Sequence, residues 1–572
     1  MVSLNEPIVE LKDVHYEYPG AKHPVLNGVN LTIRRGDFLA IIGGNGSGKS
    51  TVCKTINGLI PHYFAGHYEG EVIVDGKQVK DQAVATLSHH VGYVYQDFQS
   101  QLMKLTVLED VAFSPLNFGY TDYQERAEEA LELLEISHLK DKTIWELSGG
   151  EKHLTAIAGA LALNPTILIV DEPVAQLDPQ HATEVYEKLK FLNDELGKTI
   201  ITIEHHTEFI ANYCKQIALI ENGKVKWHED VKKGLLNITE LKEFHIYPPQ
   251  VTQAAVALSQ LNGVRDLPIT VDEAKTYFKD CYFVPEQKKQ PENLRLTKPV
   301  TLHVKDVQHE VKLLNGDRRT VLNIDEIMIH EGDQVAIVGN NGAGKTTLLK
   351  SLAGIIKPKN GTINVDGVDV LQTAVEKLSS RIAYIYQNPE EMFIQDTIKN
   401  DISYFGDVRG IEQDDLYEYI AQSLQMEHLL PLDGRLLSGG QQRRSSVAIG
   451  LGMLPTVIML DEPTASLDIG NRKQLIDILH AIRDQIKTVL IATHDMQLVA
   501  EWATRVLVME YGKVVFDGSP KELFESVSIW QQAGLKLPQI AELSLALNIQ
   551  PALSVDEFVG RVKEVQLNES NG

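Results

Sequence analysis

The sequence is poor in cysteine and has no closely spaced cysteine pair. Its 572 residues include three cysteines, Cys53, Cys214 and Cys281. An odd number of widely separated thiols argues against a disulfide framework and gives no zinc-binding pattern. We therefore expect the chain to work in a reducing compartment.

Long apolar runs are missing as well. No segment reaches the roughly 18 consecutive apolar residues of a membrane-spanning helix. The first residues, "MVSLNEPIVELKDV", have neither the basic nor the apolar part of a signal peptide. We expect a cytosolic chain that does not cross a membrane by itself.

Basic residues are outnumbered by acidic ones. The chain has 54 Lys and Arg against 78 Asp and Glu, a net charge of −24. This balance argues against a broad nucleic-acid surface, which needs clustered cations, but it does not exclude docking on a membrane protein. With 43% hydrophobic residues, the composition is that of a globular protein, and the length exceeds what one hydrophobic core serves.

The sequence does contain a long internal repeat. "FLAIIGGNGSGKSTV" from Phe38 returns as "QVAIVGNNGAGKTTL" from Gln334, and "ILIVDEP" from Ile167 returns as "VIMLDEP" from Val457. The chain is therefore a tandem duplication. The first copy has a few additional residues, which lie in "GLIPHYFAGHYEGEV".

The repeat extends beyond these motifs. A segment from Tyr247, "YPPQVTQAAVALSQLNG", is echoed from Leu537 by "LPQIAELSLALNIQ". Each copy therefore has a small helical tail. We place the two large domains at residues 1–235 and 296–525, the first tail with its linker at 236–295, and the second tail at 526–572.

Both copies contain a glycine-rich loop of the pattern G-x-x-x-x-G-K-[S/T], between an apolar strand and a helix. Backbone N–H groups of such a loop wrap phosphates, its lysine reaches the β and γ oxygens, and its hydroxyl binds Mg²⁺. One match arises by chance in roughly two chains of this length in a hundred. The residues assigned to the nucleotide are Gly43, Asn45, Gly46, Gly48, Lys49, Ser50 and Thr51, with Gly339, Asn341, Gly342, Gly344, Lys345, Thr346 and Thr347.

An Asp-Glu pair ends an unbroken aliphatic run in each copy. Such a run is typical of a buried parallel strand. Asp171 and Asp461 can hold the metal through water, and Glu172 and Glu462 are placed to polarise an attacking water. The alternative is a polar strand end that caps the following turn.

A third repeated motif is "LSGGE" from Leu147 and "LSGGQ" from Leu437. A serine and two glycines at the start of a helix present free N–H groups and a hydroxyl, which suits an anion. The alternative is a helix start softened by glycine. The residues concerned are Ser148, Gly149 and Gly150, with Ser438, Gly439 and Gly440.

Together these motifs resemble the ATP-binding domains of ABC proteins, over nearly the whole chain and twice. The resemblance implies an α/β fold of two tandem P-loop ABC ATPase domains, each with a helical subdomain and a small C-terminal helical tail. It implies hydrolysis of ATP with Mg²⁺. It also implies that the two domains pair within the chain, so that each ATP lies between the phosphate loop of one copy and the signature motif of the other.

The resemblance assigns further residues. Gln96 and Gln387 match the glutamines that sense metal and water, His205 and His494 match the γ-phosphate histidines, and Asp178 and Asp468 match a loop that faces the opposite site. A lone histidine after a strand is often structural, but the same spacing from a Lys-Thr pair in both copies favours function. The implied metal site comprises Ser50, Gln96 and Asp171 in the first copy, and Thr346, Gln387 and Asp461 in the second.

The copies differ at two positions. Tyr18 matches the aromatic residue that stacks on adenine in the family, and alignment places Val311 there in the second copy. The site of the second phosphate loop also receives Glu151, where the family usually has glutamine. We expect both sites to hydrolyse ATP and the second to bind it less tightly.

The stretches that contain Gln96 and Gln387, "YQDFQSQLM" (residues 95–103) and "YQNPEEMF" (residues 386–393), are called the glutamine segments. They resemble the corresponding segments of energy-coupling-factor and cobalt-type importer ATPases. In that family they receive helices of a transmembrane coupling subunit, and a separate membrane subunit binds the vitamin or metal ion. The resemblance implies a peripheral position on the inner face of the cell membrane, and the acidic composition predicts no nucleic-acid partner. The alternative for the apolar side chains is plain core packing, at Leu102, Met103, Met392 and Phe393.

Arginines of family coupling helices meet acids just after the glutamine. The second copy supplies Glu390 and Glu391 there, whereas the first has Gln99 and Ser100. We therefore expect the membrane subunit to make an asymmetric contact, with ion pairs to the second copy and none at the aligned place of the first.

Two other functions remain open at this point. A soluble tandem ABC protein of the ribosome would be expected to have a charged helical arm between the copies, but the segment after Tyr247 is apolar and marked by proline. A sugar importer with fused ATPases would usually have a degraded second site. The sequence leaves the transported substrate open.

Overall fold

The computed structural model describes residues 6–21, 23–174, 177–262, 266–284, 298–312, 316, 318–411, 414–465, 469–481 and 486–563. The chain divides into two compact units, Met1–Tyr277 and Phe278–Gly572. Each unit contains an antiparallel sheet and a larger, mostly parallel sheet with helices. The predicted fold class is confirmed, and the bounds of the four predicted domains stay predictions.

The six-stranded sheet of the first unit is parallel except at one edge. Its central strands are entirely buried, which explains their continuous aliphatic sequences. The strand order is Lys224–Asp230, Gln216–Glu221, Phe38–Ile42, Thr199–Ile203, Ile167–Asp171 and Val91–Val94. The antiparallel sheet has the order Leu26–Arg34, Pro7–Glu17, His67–Val74 and Lys77–Gln78.

The helices of the first unit surround these sheets. The α-helices are Lys49–Ile56, Leu59–His62, Val84–Leu87, Val107–Val111, Phe113–Asn117, Tyr123–Leu133, Gly149–Leu161, Pro179–Asp194, Thr207–Tyr213, Val231–Leu235, Ile238–Glu243, Gln250–Asn262 and Val271–Phe278. The short 3-10 helices are Val79–Asp81, Phe98–Gln101, Ser137–Leu139 and Ile144–Glu146.

The second unit repeats this topology. Its six-stranded sheet has the order Ile382–Ile385, Val457–Asp461, Thr488–Ala492, Gln334–Val338, Arg505–Glu510 and Lys513–Gly518. Its antiparallel sheet has the order Arg318–His330, Val300–Lys312, Asn360–Val365 and Val368–Asp369. A further antiparallel pair joins Tyr282–Phe283 to Val562–Lys563.

The helices of the second unit follow the same pattern. The α-helices are Lys345–Leu352, Val375–Leu378, Ile398–Arg409, Asp414–Ser423, Gly439–Gly452, Ile469–Ala481, Met496–Trp502, Pro520–Glu525, Val527–Gln532, Gln539–Ala546 and Val555–Gly560. The 3-10 helices are Pro389–Met392, Glu427–Leu429 and Gly434–Leu436.

Each unit ends in two short helices whose second member starts in the same way. Glu273 donates its N–H to the hydroxyl of Thr270, and Glu557 donates its N–H to the hydroxyl of Ser554. A hydroxyl followed three residues later by glutamate is a helix-start signal. The tails are thus structural repeats as well. Within the described ranges, no helix is both long and apolar enough to span a bilayer.

Candidate active site

The phosphate loop has nearly the same backbone in both units. Three glycines in each loop have left-handed φ, with 149°, 77° and 106° at Gly43, Gly46 and Gly48, and 149°, 80° and 105° at Gly339, Gly342 and Gly344. A Cβ atom added to Gly43 would lie 2.0 Å from the carbonyl oxygen of Ile220. Only glycine fits this turn, which leads from a buried strand into a helix.

The loop lysines are buried and fold back over their own loops. Lys49 donates from Nζ to the carbonyls of Gly43 and Gly44 at 2.8 and 2.9 Å. Lys345 donates to the carbonyls of Gly339 and Asn340 at 2.6 and 3.3 Å. Each ammonium group therefore lies inside the curve of a glycine loop, which is the place a phosphate group would enter.

The strand-end aspartates lie beside hydroxyl groups. Tyr384 and Thr346 donate to the two carboxylate oxygens of Asp461 at 2.8 and 3.0 Å. In the first unit, Tyr93 donates to Asp171 at 3.1 Å. Burial raises the pKa of both aspartates, so a nearby cation would favour their charged forms.

These oxygen atoms fit Mg²⁺. That ion is commonly bound by one or two carboxylates together with water and phosphates. No cluster of three or more His, Cys, Asp or Glu side chains suited to a metal occurs in the described part of the chain. The donor set therefore suits an ion that arrives with a nucleotide.

The strand-end glutamates have a strained backbone. Glu172 and Glu462 have φ of 51° and 44°, a region that residues other than glycine rarely occupy. Their N–H groups donate to the carbonyls of Ile203 and Ala492 on the neighbouring strands at 3.0 and 2.8 Å. Left-handed residues held in this way cluster at functional sites.

In the first unit the three predicted catalytic side chains meet. Gln96 donates from Nε2 to Oε2 of Glu172 at 2.5 Å, and Nε2 of His205 lies 3.2 Å from Oε1 of the same carboxylate. His205 is itself held by the buried Glu204, which accepts the His205 N–H at 2.8 Å. Glu204 also accepts a hydrogen bond from Tyr186 at 2.7 Å.

In the second unit the glutamate pairs with two basic groups. Its Oε1 lies 3.5 Å from Nζ of Lys345, and its Oε2 lies 2.9 Å from Nδ1 of His494. Burial acts to raise the pKa of Glu462, but His494 and Lys345 lower it, and Glu462 in turn raises the pKa of His494 against the effect of burial. Gln387 is exposed, and its backbone carbonyl accepts a hydrogen bond from Arg443 at 2.6 Å.

The signature motif begins a helix in both units. Ser148 donates its N–H to the Glu151 carboxylate at 2.7 Å, and Ser438 donates its N–H to the Gln441 amide oxygen at 3.1 Å. The acid and the amide therefore serve the same helix cap. Gly150 leaves space for His181, because an added Cβ would lie 2.3 Å from that ring. That each signature completes the other copy's nucleotide site stays a prediction.

The aromatic residue predicted for adenine lies next to the phosphate-loop helix. The hydroxyl of Tyr18 is 3.5 Å from that of Thr51, and its ring contacts Tyr16 edge-on with centroids 4.8 Å apart. Val311 lies on the strand Val300–Lys312 and is 37% exposed. The stacking surface available in the first unit has no aromatic counterpart at Val311.

Asp178 is fully buried, and its carboxylate caps the helix Pro179–Asp194. It accepts the N–H of His181 at 3.1 Å. Asp468 lies outside the described residues. The role of these two aspartates at an opposite site stays a prediction.

Sequence reasoning missed Tyr93 and Tyr384, although each stands three residues before a predicted catalytic glutamine. This shared spacing was a usable signal. It also missed Glu204 and Arg443, which have no counterpart of the same type in the other copy and therefore gave no repeat signal.

Comparison with known proteins agrees with this geometry. The sequence profile of the ABC transporter family matches residues 26–175 and 322–465. An ABC transporter ATP-binding protein of Caldanaerobacter subterraneus subsp. tengcongensis is 33% identical over 575 residues, which cover 98% of this chain and 100% of that protein.

Two solved structures are also similar. One is a chain in the complex of the archaeal ribosomal stalk protein aP1 and the ribosome recycling factor aABCE1, with a TM-score of 0.56, 21% identity, and coverage of 90% of this chain and 92% of that chain. The other is cbiO1 of Clostridium perfringens, part of the ABC transporter complex cbiONQ, with a TM-score of 0.38, 30% identity, and coverage of 45% and 100%. With its two phosphate loops and its full-length relatives, the chain belongs to the ABC transporter family of ATP-binding proteins and is an ATPase with two tandem ABC domains.

Proposed function

We propose that the chain is the ATP-hydrolysing motor subunit of a membrane importer of the energy-coupling-factor type, which takes up a vitamin or a metal ion. The observation that carries this proposal is an exposed acidic pair beside a predicted catalytic glutamine. Glu390 and Glu391 lie on the 3-10 helix Pro389–Met392, which begins two residues after Gln387, and both are exposed.

Core packing and a helix cap hold the acidic pair in place. Met392 and Phe393, the next two residues, are buried in the hydrophobic core of the second unit, so their role is core packing. Asn388 accepts the N–H of Glu390 at 3.2 Å and caps the short helix. Two carboxylates held in place by a buried helix end suit binding of a cationic helix of a membrane subunit. Such a helix would contact the glutamine segment directly.

The first unit presents a different surface at the aligned place. Gln99 and Ser100 are exposed and uncharged, and Met103 is 63% exposed, whereas Leu102 is partly buried against the core. This surface lacks the paired carboxylates of the second unit. A coupling subunit with a basic docking helix for the second unit alone would match this difference.

The chemistry that drives transport would come from the residues at the strand ends. Ser50, Gln96 and Asp171, and Thr346, Gln387 and Asp461, would hold Mg²⁺, which would neutralise charge on the phosphates. Glu172 and Glu462 would each accept a proton from the attacking water, and His205 and His494 would fix the orientation of these carboxylates. Tyr18 would position the base of the nucleotide in the first unit.

The docking proposal is tested by co-purification. The full chain is affinity-purified from detergent-solubilised membranes of its host with Glu390→Ala and Glu391→Ala together, and Gln99→Ala with Ser100→Ala serves as the matched control. Removing the acids from a partly buried pair with arginine costs about 3–5 kcal/mol, so the acidic variant should lose its membrane partner and substrate uptake. ATP hydrolysis by the purified chain should continue.

Two results would contradict the proposal. Full uptake and full co-purification of the acidic variant would show that the acids are not the docking site. Recovery of ribosomal subunits instead of a membrane protein with the wild-type chain would favour a soluble tandem ABC protein.

A further inference from the structure

Arg443 in the second unit contacts the backbone of the glutamine segment. It lies near the start of the signature helix Gly439–Gly452 and is 4% exposed. Its guanidinium group donates to the carbonyl of Tyr386 at 2.9 Å and to the carbonyl of Gln387 at 2.6 Å. One side chain of the signature helix therefore holds two successive backbone carbonyls of the glutamine segment.

A buried guanidinium needs a physical reason. Burial lowers the pKa of Arg443 to about 10, while the negative charges of Asp461 and Glu462 act to raise it. Desolvating a cation is costly unless it is paired and hydrogen-bonded. Asp461 and Glu462 lie close enough to act on the charge of Arg443, but its guanidinium group donates hydrogen bonds to two backbone carbonyls. The rigid fork of N–H donors, which lysine lacks, therefore explains why an arginine occupies this position.

The first unit uses a different arrangement at the aligned position. His153 replaces the arginine, is 1% exposed, and stacks on Phe98 with ring centroids 4.4 Å apart and planes within 8°. The backbone there is held by Gln101 instead, which accepts the N–H of Tyr95 at 2.8 Å and donates to the carbonyl of Tyr93 at 3.2 Å.

The two arrangements differ in how strongly they resist displacement of the glutamine segment relative to the signature helix. Paired hydrogen bonds weaken steeply when distance or angle changes, so the Arg443 contact fixes the glutamine segment to the signature helix. An aromatic stack is broad, and it tolerates sideways displacement of one ring over the other. In the first unit the firm hydrogen bonds lie within the glutamine segment itself, between Gln101 and the strand end.

We infer that Arg443 is a positioning residue for ATP hydrolysis in the second unit: its two hydrogen bonds set the place of Gln387 relative to Glu462 and make the glutamine segment move with the signature helix. His153 performs no such task in the first unit. The inference rests on the ATPase activity and is independent of the proposed transport function.

The first test compares variants in the full chain. Arg443→Met removes the donors and keeps the bulk, Arg443→Lys keeps a cation that can reach one carbonyl, and His153→Gln is the control in the first unit. We expect Arg443→Met to lower kcat toward the value of Glu462→Gln, by on the order of 10-fold, with the ATP Kd within about twofold of wild type. Arg443→Lys should recover a large part of kcat, and His153→Gln should change kcat less than about twofold.

A second variant separates positioning from packing. Arg443→His combined with Pro389→Phe transfers the stacked pair of the first unit to the second, because Pro389 aligns with Phe98. This variant should unfold at the same urea concentration as wild type while kcat stays low. Amide hydrogen exchange of residues 382–393 without nucleotide should be faster in both this variant and Arg443→Met, and unchanged in residues 91–102.

The inference is overturned by either of two outcomes. One is that the amides of residues 382–393 in Arg443→Met exchange at the same rate as in the wild-type chain. The other is full recovery of kcat by the stacked pair, which would show that filling the space is sufficient. If Arg443→Met fails to fold, the lysine and stacked-pair variants decide the question by the same measurements.

Discussion

The two units have the same strand order and the same strained glutamate, but they give that glutamate different neighbours. In the first unit, Glu172 contacts an amide and an imidazole and is 20% exposed at its side chain. In the second, Glu462 pairs with Lys345 and His494 and is 8% exposed. The sheet thus sets where the carboxylate lies, whereas residues from other elements set its electrostatic surroundings.

The same division holds for the glutamine segments. The strand before each glutamine ends at an equivalent place, yet one segment is held by Gln101 and the other by Arg443. Duplication therefore preserved the backbone of the site and allowed its contacts to diverge. Sites that differ in this way should respond unequally to the same substitution.

The largest effect is expected from the two glutamates. Glu172→Gln with Glu462→Gln should lower ATP turnover by about 10²–10⁴-fold and leave nucleotide binding intact, because only the proton acceptor is removed. Of the single variants, Glu172→Gln should be the more damaging, since Glu462 is already engaged by two basic groups. Steady-state hydrolysis and nucleotide titration measure both claims, and equal losses would contradict the asymmetry.

The next effect concerns the buried histidine of the first unit. Burial lowers the pKa of His153 to about 4, below the 6.5 of an unfolded histidine. Between these two pH values the unfolded chain binds more protons at this histidine than the folded chain does. The free energy of unfolding is therefore unaffected by this group above pH 6.5, and it falls as the pH is lowered from 6.5 toward 4. The loss amounts to about 3 kcal/mol.

Urea unfolding at pH 7 and pH 5 tests this expectation. With Trp502 and Trp530 changed to phenylalanine in all samples, Trp145 and Trp227 report the first unit by fluorescence. His153→Gln should reduce the difference in unfolding free energy between the two pH values. An unchanged difference would mean that other groups cause it.

A smaller effect is expected at the nucleotide base. An aromatic side chain stacked on a base contributes about 1–3 kcal/mol, so Tyr18→Ala should weaken ATP binding at the first site by that amount. Val311→Tyr should strengthen binding at the second site. Binding of inorganic tripolyphosphate, which has no base, is the control and should not change in either variant.

The smallest effect is expected at the signature helices. Loss of a serine cap costs about 1 kcal/mol, and Ser148→Ala should cost more than Ser438→Ala. Alanine removes the Ser148 hydroxyl, which accepts the N–H of Glu151 at 3.2 Å. The reciprocal bond from the serine N–H goes to a carboxylate at 2.7 Å in the first unit and to an amide oxygen at 3.1 Å in the second, so the first cap is the tighter one. Thermal unfolding of the two variants without nucleotide measures the difference, and a larger loss for Ser438→Ala would refute it.

The sequence was sufficient for the parts of the site that are local. Glycines at left-handed positions, a lysine and a hydroxyl define the phosphate loop within eight residues, and an aliphatic run defines the buried strand before each loop. The helix caps at Ser148 and Ser438 are local too. Their short range explains why both copies could be read in the same way.

Contacts between segments that are distant along the chain could not be predicted from the sequence. Arg443 lies 56 residues from Gln387 along the chain, and its contact depends on how the signature helix packs on the strand end. The same holds for Met392 and Phe393, which the sequence left between docking and core, and which packing places in the core. Side-chain packing, rather than any motif, decides such cases.

The left-handed backbone at Glu172 and Glu462 has a consequence for evolution and engineering. Glycine adopts φ near 50° freely, whereas other residues pay about 1–2 kcal/mol there. A glycine at either position would relieve the backbone and delete the carboxylate. Selection for thermal stability alone would therefore favour loss of the two carboxylates that we predict to accept the proton of the attacking water, so a stabilised variant of this chain has to be sought at other positions.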